Sequence, residues 1–182
     1  MFYVLVILFA NILIILANVF NGADFLPSLL FSVLGTVTVI GVDGVLAFAI
    51  RRLPEKWFKA GNRIFNVSRR EKRIYTKIKI KRITPYVPEL GGFTGFHKNK
   101  LKSTDDGEYL ARFLLESNYG VAIHVANAVF GFIIGVFPFC GGASVWIPVA
   151  AVNFVLSMLP VFILRNNTPS LLFLYKKSAN KQ

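Results

Sequence analysis

The sequence predicts an all-α membrane protein with four transmembrane helices and a cytosolic basic amphipathic segment, and three observations lead there. Hydrophobic residues make up 54% of the chain and charged residues only 16%, which is too apolar for an ordinary soluble domain. Four apolar runs, at about 2–20, 26–50, 120–139 and 145–164, are long enough for the ~20 residues that a helix needs to cross a hydrocarbon core. All 21 lysines and arginines lie between or after these runs. The chain therefore reads as a single membrane domain, 1–182, with its basic segment at 51–119.

The formal charge of +12 raises the question of nucleic acid. Its basic residues are not gathered on a soluble fold, so membrane lipids with anionic headgroups are the expected partners and no nucleic acid is expected. The single cysteine, Cys140, forms no intrachain disulfide. His97 and His124 are too far apart in sequence for metal-ligand spacing. No metal and no cofactor is predicted.

The first run, 2–20, is uncharged and lacks the basic start and small-residue cleavage site of a signal peptide, so it reads as a retained span. Asn21-Gly22-Ala23-Asp24 makes a tight turn into the second span, 26–50. Asp43 is the one charge in that span. It reads either as a polar partner for substrate or for His124, or as a carbonyl-paired or protonated acid near the interface.

Thirteen of the 21 basic residues fall between Arg51 and Arg82. None lies in the short turns at 21–24 and 140–144. By the positive-inside bias, both termini and the 51–119 segment are expected in the cytoplasm and the two turns outside, in a multi-pass protein of the cell membrane. Within the segment, Leu53, Trp57, Phe58, Ile64 and Phe65 interleave with Lys56, Lys59 and Arg63. That is the composition of a helix lying in the headgroup layer. Lysine and isoleucine alternate from Lys77 to Lys81, a stretch read as extended or irregular. Pro85 and Pro88 followed by Gly91-Gly92 make a loop, and His97 is read as a surface side chain.

Ser103, Thr104, Asp105 and Glu108 signal a helix start. This charged helix is expected to run into the third span, which Pro138 and Gly141-Gly142 end. At 100° per residue, Asn127 and Gly131 fall within about 60° of Glu116, and His124 about 80° away. The four therefore share one broad helix face. A rise of ~1.5 Å per residue sets Glu116 and His124 roughly 12 Å apart along the axis, too far for a direct hydrogen bond. An imidazole beside hydrocarbon is costly to charge, and a neutral one suits general-base work on a hydroxyl. The other reading of His124 is a helix-interior histidine satisfied by a neighbouring carbonyl. In the fourth span Asn153 and Ser157 lie one turn apart, read as a polar site or as interhelical glue, and Pro160 is a candidate kink. No phosphate loop, nucleophile elbow or zincin spacing is present in the sequence.

Several stretches carry a family resemblance. Leu53-Pro54-Glu55-Lys56-Trp57-Phe58, Ile78-Lys79-Ile80-Lys81, Pro88-Glu89-Leu90-Gly91-Gly92, Glu116 eight residues before His124, and Leu159-Pro160 through Arg165-Asn166-Asn167-Thr168-Pro169 together resemble the glycosyl-4,4'-diaponeurosporenoate acyltransferases. Family members commonly carry a second glutamate three residues before the histidine, where this chain has Val121. Met158 and Thr168 stand where relatives carry asparagine and arginine.

The resemblance implies a membrane acyltransferase moving a fatty acyl chain onto a hydroxyl of a glycosylated lipid or carotenoid. His124 would be general base, and Glu116 would orient it or contact the sugar. Asn127, Arg165 and Asn167 would contact polar headgroups. Lys77, Lys79, Lys81 and Arg82 would hold the phosphates of an acyl-CoA donor, with a phospholipid as the alternative donor. The competing class is a non-catalytic membrane lipid-binding or assembly protein.

Overall fold

The computed structural model describes residues 2–87 and 101–180. The loop expected from Pro88 to Gly92, and His97, lie outside them. Among the described residues six α-helices form: α1 (Phe2–Phe20), α2 (Phe25–Arg51), α3 (Arg69–Lys77), α4 (Ile80–Ile83), α5 (Gly107–Phe130) and α6 (Ala143–Ala179). No strand occurs among the described residues. Among the described residues four helical runs are long and apolar enough to cross a membrane: Tyr3–Phe20, Phe25–Arg51, Gly107–Val136 and Ala143–Ala179. The all-α class with four such helices is as predicted. In the third run, 44% of the apolar window is buried, against 17, 11 and 22% in the others, so α5 is the most enclosed and the rest keep large apolar side chains outward. Those outward faces fit a multi-pass membrane protein, because water would not tolerate so much contiguous exposed hydrocarbon.

The chain divides into two compact units, Met1–Ala49 with Ile123–Met158, and Ile50–Ala122 with Leu159–Gln182. By sequence, all 21 basic residues belong to the second, and the first carries only Asp24 and Asp43 as acids.

In the first unit, α1 ends in a Schellman motif. Gly22 takes φ +89°, its N–H donates to the Val19 carbonyl, and Ala23 N–H donates to the Asn18 carbonyl, which satisfies acceptors the helix end leaves open. Pro27 sits in the first turn of α2, where no N–H is needed. Asn11 ties the two helices together. Its Oδ1 accepts from Ser32 Oγ at 2.5 Å and its Nδ2 donates to Thr36 Oγ1 at 3.1 Å, the kind of polar contact that joins helices where the surroundings are equally apolar. The core is Ile14, Val39, Ile134, Cys140, Val145, Val149 and Ala150.

In the second unit the headgroup-layer helix expected over Leu53 to Phe65 is corrected to two short 3-10 turns, Glu55–Trp57 and Arg63–Phe65. Pro54 and Gly61, at φ +87°, interrupt helical backbone there. The aromatics also divide: Trp57 and Ile64 stay exposed while Phe58 and Phe65 are buried. Phe58 stacks on Tyr119 at 4.1 Å between centroids, and its carbonyl accepts from Asn118 Nδ2 at 2.8 Å. Ser68 caps α3, its Oγ accepting from Glu71 N–H at 3.1 Å, and Lys79 in the left-handed region separates α3 from α4. The irregular piece expected at 77–81 is this break.

The helix start near Asp105 falls two residues later. Asp106 is the residue whose carboxylate accepts from Tyr109 N–H at 3.0 Å, and α5 begins at Gly107. The fourth span, expected to stop at 164, continues to Ala179 through Pro160 and Pro169. Side chains support the later turns: Thr168 Oγ1 donates to the Leu164 carbonyl at 3.0 Å and Lys72 Nζ to the Asn166 carbonyl at 2.5 Å.

Candidate functional site

In the first unit His124 is half-buried on α5, and Asn127, one turn further on, is 7% exposed. The Asn127 backbone carbonyl accepts from Asn153 Nδ2 of α6 at 3.1 Å, and the same amide nitrogen reaches Asp43 Oδ1 of α2 at 3.4 Å. Asn127 Oδ1 is itself buried with no hydrogen-bond partner. Gly131 makes this arrangement possible, because a Cβ there would fall 2.4 Å from Asn153 Nδ2. Three helices thus converge on a polar cluster inside a unit that has no lysine or arginine. Asp43, for which the sequence leaves both a substrate role and a structural one open, finds its partner in Asn153. Beside it, a cavity of about 40 Å³ is lined by Asn11, Thr36, Val39, Ile40 and Asn153 among others.

Glu116 belongs to the second unit, where its carboxylate pairs with Arg51 at 3.1 Å. The Arg51 guanidinium also lies over the Tyr119 ring, 5.6 Å from its centroid. Glu116 lines an open groove of about 640 Å³ with Glu55, Lys59, Arg112, Leu115 and Tyr175. Val121, where relatives carry glutamate, is buried at 6% exposure.

Arg165 lies in this unit too, and its guanidinium is engaged: Nε donates to Glu71 Oε1 at 2.5 Å, Nη2 to Glu71 Oε2 at 2.9 Å and to the Asn66 carbonyl at 3.2 Å. This is a two-pronged clamp of α3 onto α6. The Arg165 hydrogen bond holds the Glu71 carboxyl below the usual carboxylate range. Tyr75, which donates to the same carboxylate, is pushed up to about 12, first by burial and then by that hydrogen bond. Burial lowers the Lys72 ammonium, and the nearby Lys81 charge lowers it further. Asn167 is exposed, its Oδ1 accepting from Asn166 Nδ2 at 3.4 Å. Lys79, Lys81 and Arg82 are exposed around α4, as solvated cations able to meet an anionic group.

The clamp carries a pH prediction. A carboxyl depressed in the folded state stabilises the fold above its unfolded value of about 4.3 and loses that contribution as pH falls through the folded one. Glu71→Gln should lower stability at pH 7 by about 1 kcal/mol, allowing for solvent screening, and should blunt the loss of stability in acid. Thermal unfolding in detergent at pH 7 and at lower pH measures both; parallel curves for the two proteins would remove the ion pair from the account.

A family model described as glycosyl-4,4'-diaponeurosporenoate acyltransferase, CrtO, matches residues 54–177, roughly two thirds of the chain. The chain belongs to this acyltransferase family. No curated protein and no solved structure matches it. Family membership points to an acyltransferase of carotenoid biosynthesis. The matched stretch contains His124, Glu116, Asn127, Asn153, Glu71 and Arg165 and leaves out Asp43.

The structure gathers the sequence-predicted residues into two groups. His124 and Asn127 share a unit with Asp43 and Asn153; Glu116, Arg165, Asn167, Lys79, Lys81 and Arg82 share the other. Sequence reasoning passes over Glu71 and Lys72. For Glu71 a signal exists, because it is the one acid between Lys56 and Arg82. For Lys72, one cation among many, there is none.

Proposed function

We propose that the protein transfers a fatty acyl chain onto a hydroxyl of a glycosylated lipid or carotenoid at the membrane. The observation that carries this reading is the family match across 54–177, which includes His124 on α5, half-buried in a unit free of lysine and arginine. There His124 is the general base: it takes the acceptor hydroxyl proton as the oxygen attacks the donor acyl carbonyl. A new ester C–O bond forms. The bond to the donor breaks, C–S for acyl-CoA or C–O for a phospholipid, and the imidazolium returns its proton to the leaving group.

Glu116, paired with Arg51 and lining the groove with Arg112 and Tyr175, contacts the polar head of a substrate. Asn127 contacts the acceptor. Lys79, Lys81 and Arg82 hold donor phosphates or anionic headgroups, a contribution of up to about 1 kcal/mol per charge at a membrane surface. Arg165, already clamped to Glu71, supports that surface, and the exposed Asn167 is its polar contact. The deciding experiment compares lipids of cells with and without the gene by mass spectrometry. An added acyl chain on a glycosylated lipid, present with the gene alone, is expected; identical lipid profiles would reject the transfer.

The same reading places the basic unit in the cytoplasm, supported by the charge asymmetry. Reporters at Gly22 or Gly142 should be external, and those at Asn99 or Gln182 internal. An internal reporter at Gly142 would refute this orientation.

A further inference from the structure

We infer that Asp43, Asn127 and Asn153 form a site for a hydroxyl group carried by an apolar, membrane-soluble ligand. Asn127 Oδ1 is buried without a partner, and an orphaned buried amide is costly enough that native structures seldom leave one unanswered. The Asp43 carboxylate offers further acceptor oxygens, while Asn153 Nδ2 is already divided between Asp43 Oδ1 at 3.4 Å and the Asn127 carbonyl at 3.1 Å. What Asn127 Oδ1 lacks is a donor. A hydroxyl supplies one and also accepts, so it answers either orientation of the Asn127 amide.

An anion would meet the Asp43 charge with no lysine or arginine in the unit to offset it. A cavity of about 40 Å³ lies on the Asn153 side of the cluster, lined by Asn153, Asn11 and Thr36 among mainly apolar residues and not by Asn127 or Asp43; it exceeds the roughly 10–15 Å³ that one water or hydroxyl oxygen needs but is far too small for a sugar ring. Gly131 keeps the Asn153 amide in place, since any side chain there would collide with it. Polar and ionisable groups within membrane-spanning helices are by default candidates for ligand contact.

Asn127 follows His124 by one helical turn, so a hydroxyl held here sits within reach of the proposed base. That use of the site rests on the acyl-transfer reading; the binding itself does not. Full-length protein in phosphatidylcholine nanodiscs should bind tritiated dodecanol about tenfold more tightly than dodecyl methyl ether, which lacks the donor. Asn127→Leu should abolish the preference. Equal binding of alcohol and ether to the wild-type protein would overturn the site and leave water or helix packing as its occupant; this comparison stands even if the variant does not fold. A preference that persists in folded Asn127→Leu protein would also overturn it, by locating the binding elsewhere. An alcohol preference in a protein that adds no acyl chain in cells would instead reject the acyl-transfer reading and leave the hydroxyl site standing.

Discussion

His124→Gln protein is expected to insert and accumulate as the wild type does, yet to transfer acyl groups about 100- to 10,000-fold more slowly, the usual cost of removing a general base. Glutamine matches the imidazole closely enough in size that a merely structural histidine would lose only modest stability on this exchange. Transfer by purified protein, measured beside its thermal unfolding, separates the two. Wild-type turnover in the variant would end the catalytic assignment.

Glu116 needs a different design, because its carboxylate is paired with Arg51 at 3.1 Å. Glu116→Gln alone mixes loss of the ion pair with loss of any substrate contact. Arg51→Gln breaks the same pair from the other side. A transfer defect in the glutamate variant alone would therefore belong to the substrate.

The largest stability loss is expected at Gly141. Its φ of 80° and ψ of −174° lie in a region essentially reserved for glycine, and a Cβ there would stand 2.8 Å from Phe31 Cβ, an atom that cannot swing aside. Backbone strain and overpacking each cost about 1–3 kcal/mol, so Gly141→Ala should lose about 2–4 kcal/mol in denaturant titration of the detergent-solubilised protein. Gly22 is the internal comparison. It too has positive φ, at +89°, but nothing stands within 4 Å of the position a methyl group would take, so Gly22→Ala should lose only about 1–2 kcal/mol. Phe31→Gly, which removes the clashing Cβ, should relieve the steric share of Gly141→Ala when the double variant is measured against Phe31→Gly alone, and leave the backbone share; Phe31→Ala keeps that Cβ and relieves only the ring contacts. Equal losses at the two glycines would mean that the contact with Phe31 carries no energy.

The four long helices are legible because their signal is one-dimensional: uncharged length and the position of basic residues. Gly22 marks the end of α1 for the same local reason. The segment after α2 is misread because composition counts Phe58 and Phe65 as lipid anchors, while folding buries them, and Phe58 stacks on Tyr119, far along the chain. The run read over 145–164 ends where Arg165 breaks the uncharged stretch, while the helix goes on to Ala179, its later turns held by the contacts of Lys72 and Thr168. At the site, helical periodicity puts His124 and Asn127 on neighbouring turns. It has no means of bringing Asp43 and Asn153 together, since their contact joins residues 110 positions apart. Arg165 is picked out by its motif, but its bond to Glu71 depends on how α3 docks.

The confinement of every basic residue to one unit also divides the molecule by reagent. Trypsin finds no site within Met1–Ala49 or Ile123–Met158, so a complete digest leaves those stretches inside two long apolar peptides. Lysine-directed cross-linkers report distances within Ile50–Ala122 and Leu159–Gln182 alone. The single thiol, Cys140, lies in the other unit with 0% exposure. A maleimide therefore labels it only when that unit opens, and the rate of thiol capture becomes a clock for the opening of the apolar half, read against a lysine chemistry blind to it.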